Sequence, residues 1–263
     1  MPFIDIADLR LYYRFDGADD APVVMLSNSL GTNVAMWDAQ MPALTARYCV
    51  LRYDSRGHGQ SAVTPGPYSI EQLARDAVAL LDALGLTRVR FCGLSLGGMV
   101  GQWLGAHSAQ RLSRLVLCNT AARIGAPDAY NARIDAVNKG GMTAIVDGVL
   151  ARWYTAPFIA AAPDAIAATR TMLLTTPAAG YVASCAAVRD MDQRDSATRI
   201  AAPTLVLHCR EDAAISFEQG RLIASRIPAA RLVALESRNH ILLPRDPAWA
   251  VIAAEARRFV RGE

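Results

Sequence analysis

The feature of this sequence that most constrains its fold is the five-residue segment GLSLG at positions 93–97. An apolar run at 89–92 precedes it and predicts a short strand, and the apolar residues after it predict a helix. A serine between two glycines at such a strand-to-helix turn is typical of a nucleophile elbow. The turn is so tight that side chains at positions 93 and 97 would collide with neighbouring backbone. We therefore predict that Ser95 stands at the tip of a sheet, at the positive N-terminal end of the next helix.

A histidine is needed beside Ser95, because a neutral serine is a poor nucleophile without a base that an acidic residue orients. The elbow predicts the chain order serine, acid, histidine. His240 lies late in the chain, in a loop between a predicted strand at 231–235 and a predicted final helix from about 247. We therefore assign the base to His240.

The other three histidines have placements that suit the role less well. His58 lies in a glycine-rich loop, DSRGHGQS, where two glycines and a charged cluster favour a structural role. His107 lies on the predicted helix after Ser95, close to the nucleophile in sequence. His208 ends an apolar run that predicts a buried strand, which favours a histidine packed in the core.

The acidic partner is expected just after the strand that ends at His208, in the segment CRED. Asp212 lies at the usual spacing beyond that strand, whereas Glu211, the alternative, suits a solvated position. Another known arrangement places the acid after the preceding strand, but Asn119 and Thr120 occupy that place. We therefore assign the acid to Asp212.

Hydrolysis through Ser95 also requires two preset donors for the oxyanion of a tetrahedral intermediate. The backbone N–H of Leu96, directly after the nucleophile, is the first candidate. The second is the backbone N–H of Leu30, in the loop SNSLG that follows a predicted strand at 23–26. Many chains with this elbow carry His-Gly where this loop has Asn28 and Ser29. For Asn28 the sequence favours a role in bracing the loop over direct catalysis.

The composition bounds the class of protein. With 263 residues and 28.3 kDa, of which 52% are hydrophobic and 19% charged, the chain can bury one core with a small inserted subdomain. A net charge of +3 without a basic block predicts no nucleic-acid partner. Five cysteines without metal-type spacing predict no metal site and suit a reducing cytoplasm. The N-terminus has no apolar signal core, and no run of about 18 apolar residues predicts a membrane span.

Strand and helix patterns alternate along both ends of the chain, which predicts an α/β fold with a mostly parallel twisted sheet and helices on both faces. Apolar residues at helical spacing predict an amphipathic helix at 70–84. The pattern then changes, because 121–191 contains four prolines and no convincing strand. We predict a first core segment at 1–120, an all-helical cap over Ser95 at 121–191 and a second core segment at 192–263.

The motifs above resemble those of the α/β-hydrolase superfamily over the whole chain. Further segments are more specific: LSNSLGT at 26–32, MWD at 36–38, LRYD at 51–54, CNTAARIG at 118–125, RI at 133–134, ARWYT at 151–155 and CAAVRD at 185–190. Together they resemble the 3-oxoadipate enol-lactonase family. Two departures from that family are Cys209, where relatives often carry glycine, and Tyr130, at a position that is often tryptophan.

The resemblance implies a carboxylic ester hydrolase that opens a small anionic enol lactone to 3-oxoadipate, in bacterial breakdown of protocatechuate and catechol, with no metal or organic cofactor. An anionic substrate calls for a cation, and an arginine grips a carboxylate with two bonds. Among the cap arginines, Arg133 is the first candidate and Arg152 the second, because each lies in a family-like segment. Trp153 and Trp37 are candidate pocket walls, or equally core packing.

Alternative functions stay open at this point. A related serine carboxylesterase or a carbon–carbon bond hydrolase would use the same residues, and a lactone-binding receptor would use the same fold without turnover. Dehalogenases and epoxide hydrolases use an aspartate nucleophile, which Ser95 disfavours. The sequence leaves the oligomeric state open.

Overall fold

The computed structural model describes residues 2–228, 230–241, 246, 254–255 and 258–259. Eight strands form one sheet in the order β1-β2-β4-β3-β5-β6-β7-β8. They are β1 (Phe3–Ile6), β2 (Leu9–Asp16), β3 (Val23–Ser27), β4 (Cys49–Tyr53), β5 (Val89–Leu94), β6 (Leu112–Cys118), β7 (Thr204–Cys209) and β8 (Ala230–Leu235).

The sheet is parallel except at one side. β2 pairs antiparallel with both β1 and β4, whereas every pairing from β4 across to β8 is parallel. Helices cover both faces of the parallel strands, so all the residues of β4 and β7 are buried, including the polar side chains of Arg52 and His208. The predicted α/β architecture with a mostly parallel sheet is therefore confirmed.

The described residues form nine α-helices: α1 (Met41–Thr45), α2 (Ile70–Ala83), α3 (Leu96–His107), α4 (Pro127–Gly140), α5 (Val146–Trp153), α6 (Ala156–Ala161), α7 (Pro163–Thr175), α8 (Ala178–Asp190) and α9 (Phe217–Arg226). Short 3₁₀ helices lie at Val34–Gln40, Ala109–Arg111, Met142–Ala144 and Ser196–Arg199. The predicted helix at 70–84 is observed as α2, whose N-cap Ser69 accepts a hydrogen bond from the N–H of Gln72 at 3.1 Å. The predicted helix from about 247 begins outside the described residues.

The five helices α4–α8 all lie between β6 and β7, and the described part of that segment contains no strand. Prolines begin or precede several of these helices, because proline is tolerated in the first turn but not in the interior. No single described helix is long and apolar enough to cross a membrane. The helices α7 and α8 reach that length and composition only as a pair, bent by 95° at their junction.

Candidate active site

Ser95 lies between the end of β5 and the start of α3, in a backbone conformation that a non-glycine residue rarely adopts, with φ 54° and ψ −112°. Main-chain bonds hold it there: its N–H donates to the carbonyl of Cys118 at 3.0 Å, and its own carbonyl accepts from the hydroxyl of Thr120 at 2.7 Å. A Cβ at Gly93 would lie 2.1 Å from the carbonyl oxygen of Gly97. The turn therefore has no room for a side chain at that position.

His240 and Asp212 form a buried pair, with His240 Nδ1 2.7 Å from Asp212 Oδ2. The second carboxylate oxygen of Asp212 accepts the N–H groups of Ala214 at 2.7 Å and Ile215 at 3.1 Å. Because three donors surround this carboxylate, it is stabilised as an acceptor and Nδ1 of His240 carries the proton. The Nε2 atom of His240 is then free to act as a base.

The main chain of His240 is fixed from two directions. Its N–H donates to the carbonyl of Trp153 at 2.7 Å, which ties it to the end of α5. Its carbonyl accepts from the side-chain amide of Asn119 at 2.8 Å, and the side-chain oxygen of Asn119 accepts from the N–H of Cys209 at 2.9 Å. Asn119 therefore connects the ends of β6 and β7 to the loop that carries His240.

The two predicted oxyanion donors, the N–H groups of Leu30 and Leu96, lack a competing acceptor among the residues that the structure describes. Leu96 is the first residue of α3, and a first-turn N–H has no acceptor within its own helix. Within the described part of the chain, no hydrogen-bond acceptor is assigned to the N–H of Leu96 or of Leu30. Both residues line the same pocket as Ser95. Their N–H groups are thus available to a ligand oxygen.

His58 supports the loop that carries Leu30. It is buried, and its Nε2 accepts from the N–H of Gly31 at 3.0 Å while Nδ1 lies 3.2 Å from the carbonyl of Arg56. Burial lowers the pKa of His58 from 6.5 to about 4, so the ring is neutral at pH 7 and can accept from Gly31. These are structural contacts, and His58 is not among the residues that line the pocket.

Asn28 braces the other side of the same loop. Its side-chain amide donates to the carbonyl of Tyr53 at 2.8 Å, and its side-chain oxygen accepts from the indole N–H of Trp37 at 2.8 Å. Its backbone carbonyl accepts from the N–H of Gly97 at 2.9 Å, which joins the loop to the elbow. Trp37 is buried in this network and does not line the pocket, whereas Trp153 does, with its ring 6.0 Å from that of His240.

One narrow pocket of about 40 Å³ brings the predicted residues together. Ser95 and His240 both line it, and Asp212 lies behind His240. The insertion between β6 and β7 supplies much of the remaining wall. The full lining is Ser29, Leu30, Ser95, Leu96, Met99, Tyr130, Arg133, Val149, Arg152, Trp153, Tyr181, Val188, Ala214, Ile215 and His240.

The two candidate arginines differ in their surroundings. Arg133 on α4 is half-buried, its guanidinium lies 5.1 Å from the ring centre of Tyr130, and no carboxylate of the described residues pairs with it. Arg152 on α5 is exposed and donates to the carbonyl of Ala214 at 3.4 Å. The other arginines of the cap, and Arg194 just beyond it, each pair with an aspartate: Arg123 and Arg194 with Asp192, Arg170 with Asp147, and Arg189 with Asp190.

Sequence reasoning did not single out Tyr181 on α8, which lines the pocket and lies near Arg133. Burial raises the pKa of Tyr181 and of Tyr130, so both phenols are neutral. No motif marks Tyr181, and only the packing of α8 brings it to the site. Among the described residues, no group of three or more histidine, cysteine or acidic side chains has an arrangement that could hold a metal ion.

This chain is similar to known proteins over most of its length. Residues 22–141 match the family described as alpha/beta hydrolase fold. The chain is 37% identical to 3-oxoadipate enol-lactonase 2 of Acinetobacter baylyi, over 96% of this chain and 95% of that one. It is 33% identical to RutD of Stutzerimonas stutzeri, a proposed carbamate hydrolase, over 88% and 89% of the two chains. The crystal structure of the enol-lactonase from Burkholderia xenovorans superposes with a TM-score of 0.90 at 40% identity, covering 99% of this chain and 97% of that one.

Proposed function

The chain belongs to the α/β-hydrolase family, and we propose that within it this hydrolase opens 3-oxoadipate enol-lactone with water to give 3-oxoadipate. Similarity to two enol-lactonases supports a lactone as the substrate. The observation that carries the proposal is Arg133, a half-buried cation in the wall of the Ser95 pocket with no carboxylate partner among the described residues. Burying a cation without a counter-charge is unfavourable, so a substrate carboxylate there restores the balance.

The first half of the reaction forms an acyl-enzyme. His240 Nε2 takes the proton of the Ser95 hydroxyl, and Ser95 Oγ attacks the lactone carbonyl. The N–H groups of Leu30 and Leu96 stabilise the oxyanion that develops. The ring C–O bond then breaks, and His240 gives its proton to the leaving enol oxygen. The enol relaxes to a ketone, which makes the ring opening effectively irreversible.

The second half releases the product. The former ring oxygen stays on the acyl chain because the lactone is cyclic, so a water molecule enters beside His240, which takes a proton from it as it attacks the acyl carbon. The tetrahedral intermediate collapses, the bond to Ser95 breaks, and the proton returns from His240 to Ser95 Oγ. Asp212 keeps the imidazole in the correct tautomer and stabilises its cationic form at each stage.

We also propose that the helices at 121–191 act as a cap that selects the substrate, while residues of the core carry out the chemistry. The support is the lining of the pocket, since α4, α5 and α8 contribute Arg133, Trp153 and Tyr181 to it. The predicted setting is bacterial aromatic catabolism in the cytoplasm.

The test is an assay of the purified chain with 3-oxoadipate enol-lactone, following loss of the lactone and formation of 3-oxoadipate by mass spectrometry. The comparison substrates are neutral p-nitrophenyl acetate and small carbamates, because similarity to RutD raises carbamate hydrolysis as a second candidate. We expect kcat/KM to be highest for the lactone. A higher value for the ester or a carbamate would assign a different substrate, and lactone binding without turnover would indicate a receptor.

A further inference from the structure

Ser29 lines the active-site pocket, yet its side-chain hydroxyl has no part in the chemistry above. Ser29 is 2% exposed, and its Oγ has no hydrogen-bond partner among the described residues. Its main chain, in contrast, is well held. The carbonyl accepts from both the N–H of Thr32 at 3.2 Å and the hydroxyl of Thr32 at 2.7 Å, and the N–H lies 3.3 Å from the sulfur of Met36.

This unpartnered hydroxyl calls for an explanation, because burying a hydroxyl without a hydrogen bond is unfavourable. Alanine would fill almost the same space without that cost. The hydroxyl of Ser184 on α8 is also buried without a partner in the described part of the chain, but Ser184 does not line the pocket. Ser29 therefore differs from Ser184 in lining the pocket, where a bound molecule would be its neighbour.

We propose that the Ser29 hydroxyl donates a hydrogen bond to the acyl carbonyl oxygen of the bound ester or lactone. It would be a third oxyanion donor, beside the N–H groups of Leu30 and Leu96. The proposal rests on the proposed function for the ester-type bond, but not on which lactone is the substrate. The proton stays on Ser29 throughout, so the residue contributes through charge stabilisation and no further proton transfer is added.

An anionic lactone offers two groups that could accept this hydrogen bond, its reacting carbonyl and its carboxylate. The position of Ser29 in the fold favours the carbonyl. Ser29 directly precedes Leu30, in the loop that Asn28 joins to the elbow through the N–H of Gly97. The cations that suit the substrate carboxylate, Arg133 and Arg152, lie instead on α4 and α5 of the insertion. A donor on the Leu30 loop is therefore placed for the reacting carbonyl.

The experiment compares Ser29→Ala with Ser29→Cys, which keeps a side chain of similar size but donates only weakly. Ser184→Ala is the matched control, since it removes an equally buried and unpartnered hydroxyl outside the pocket. Each variant is assayed with the enol lactone and with p-nitrophenyl acetate. Its affinity is also measured for a neutral trifluoromethyl ketone, whose carbonyl carbon forms a bond to Ser95 Oγ and leaves an oxyanion.

We expect Ser29→Ala to lower kcat about ten- to a hundredfold on both substrates, with KM changed little. This is less than the roughly 10²–10³-fold loss seen for removing an oxyanion-hole donor elsewhere, because two backbone donors remain. The inhibition constant of the ketone should rise by a similar factor. Ser29→Cys should lie between the parent and Ser29→Ala, and Ser184→Ala should match the parent.

A kcat within twofold of the parent on both substrates would overturn the proposal, as would an equal loss in Ser184→Ala. A loss confined to the lactone would show that the hydroxyl contacts the carboxylate instead. Melting temperatures of all variants check the fold. If the parent cleaves the ester but not the lactone, the substrate assignment is wrong, and the ester and ketone measurements still decide the role of Ser29.

Discussion

The side-chain amide of Asn119 donates to the backbone carbonyl of His240 across 2.8 Å, from the end of one strand to the loop beyond another. Asn119 occupies the place where the alternative arrangement would put the acid. It has a positive φ of 41°, which asparagine tolerates better than most residues. The residue at that place therefore holds the main chain of the base, while Asp212 orients its ring.

Replacing Asn119 tests this positioning role. We expect Asn119→Ala to lower kcat with little change in KM, because the base becomes less well fixed while the pocket wall is unaltered. The lost buried bonds should cost about 1–3 kcal/mol of unfolding free energy. The measurement pairs steady-state kinetics with denaturant unfolding. Asn138→Ala, on the exposed side of α4, is the control. A variant that is less stable but has the parent's kcat would show that Asn119 is structural only.

The proposed catalytic triad of Ser95, His240 and Asp212 predicts how much activity each substitution removes. Ser95→Ala and His240→Ala should each keep the fold and remove nearly all turnover, leaving about 10³–10⁴-fold catalysis over water from the oxyanion donors and binding. Asp212→Asn should lower kcat about 10⁴-fold, because the amide favours the wrong histidine tautomer. Kinetics and circular dichroism measure both effects. More than a tenth of the parent's activity in Ser95→Ala would contradict the mechanism.

Arg133 has no carboxylate partner among the described residues, and its replacement should therefore affect an anionic substrate more than a neutral one. Arg133→Ala should lower kcat/KM for the carboxylated lactone by about thirtyfold to several thousandfold, equivalent to about 2–5 kcal/mol, while sparing p-nitrophenyl acetate. Arg152→Ala should have a smaller effect, since that side chain is exposed. Arg170→Ala is the control, because Arg170 is paired with Asp147. If the ratio of kcat/KM for the lactone to kcat/KM for the ester is unchanged in Arg133→Ala and in Arg152→Ala, the carboxylate is bound elsewhere.

His58 predicts a pH dependence of stability. Burial lowers its pKa from 6.5 unfolded to about 4 folded, so the unfolded chain binds more protons between these values. The contribution of His58 is therefore complete above pH 6.5 and is lost as the pH falls through 4, by on the order of 3 kcal/mol. Urea unfolding of the parent and of His58→Gln across this range should give a stability difference that changes with pH. If the unfolding free energies of the parent and of His58→Gln change in parallel with pH, the prediction is wrong.

The same residue should affect catalysis through Gly31. Glutamine places an acceptor near the position of Nε2, whereas asparagine places its amide near Nδ1 and loses the acceptor for the N–H of Gly31. We therefore expect His58→Gln to keep more of kcat than His58→Asn at pH 7. Equal kcat values in the two variants would show that the hydrogen bond from Gly31 to His58 does not affect catalysis.

Local patterns were sufficient to predict the parts of the molecule that depend on backbone geometry. The elbow, the serine–acid–histidine order and the α/β architecture all follow from short motifs and strand–helix alternation. The strand β1 was not predicted, because FIDI is short and interrupted by a charge. Trp37 was a candidate pocket wall or, equally, core packing, and its indole N–H donates to Asn28. Neither the lack of a carboxylate beside Arg133 in the described part of the chain nor the pocket position of Tyr181 has a local signal, because both depend on how the cap helices pack.

The crowded turn at Gly93 and Gly97 has a consequence for how this protein can change over time. A Cβ at Gly97 would lie 2.1 Å from the backbone oxygen of Ser27, so neighbouring main chain closes that position to every other residue type. Ser95, in contrast, lines the pocket. We therefore expect Gly93 and Gly97 to tolerate substitution less well than Ser95. The nucleophile can be replaced without a change in the backbone of the turn, whereas the two glycines cannot. New reactivities are therefore most accessible by substitution at position 95 and in the cap, with the surrounding turn left intact.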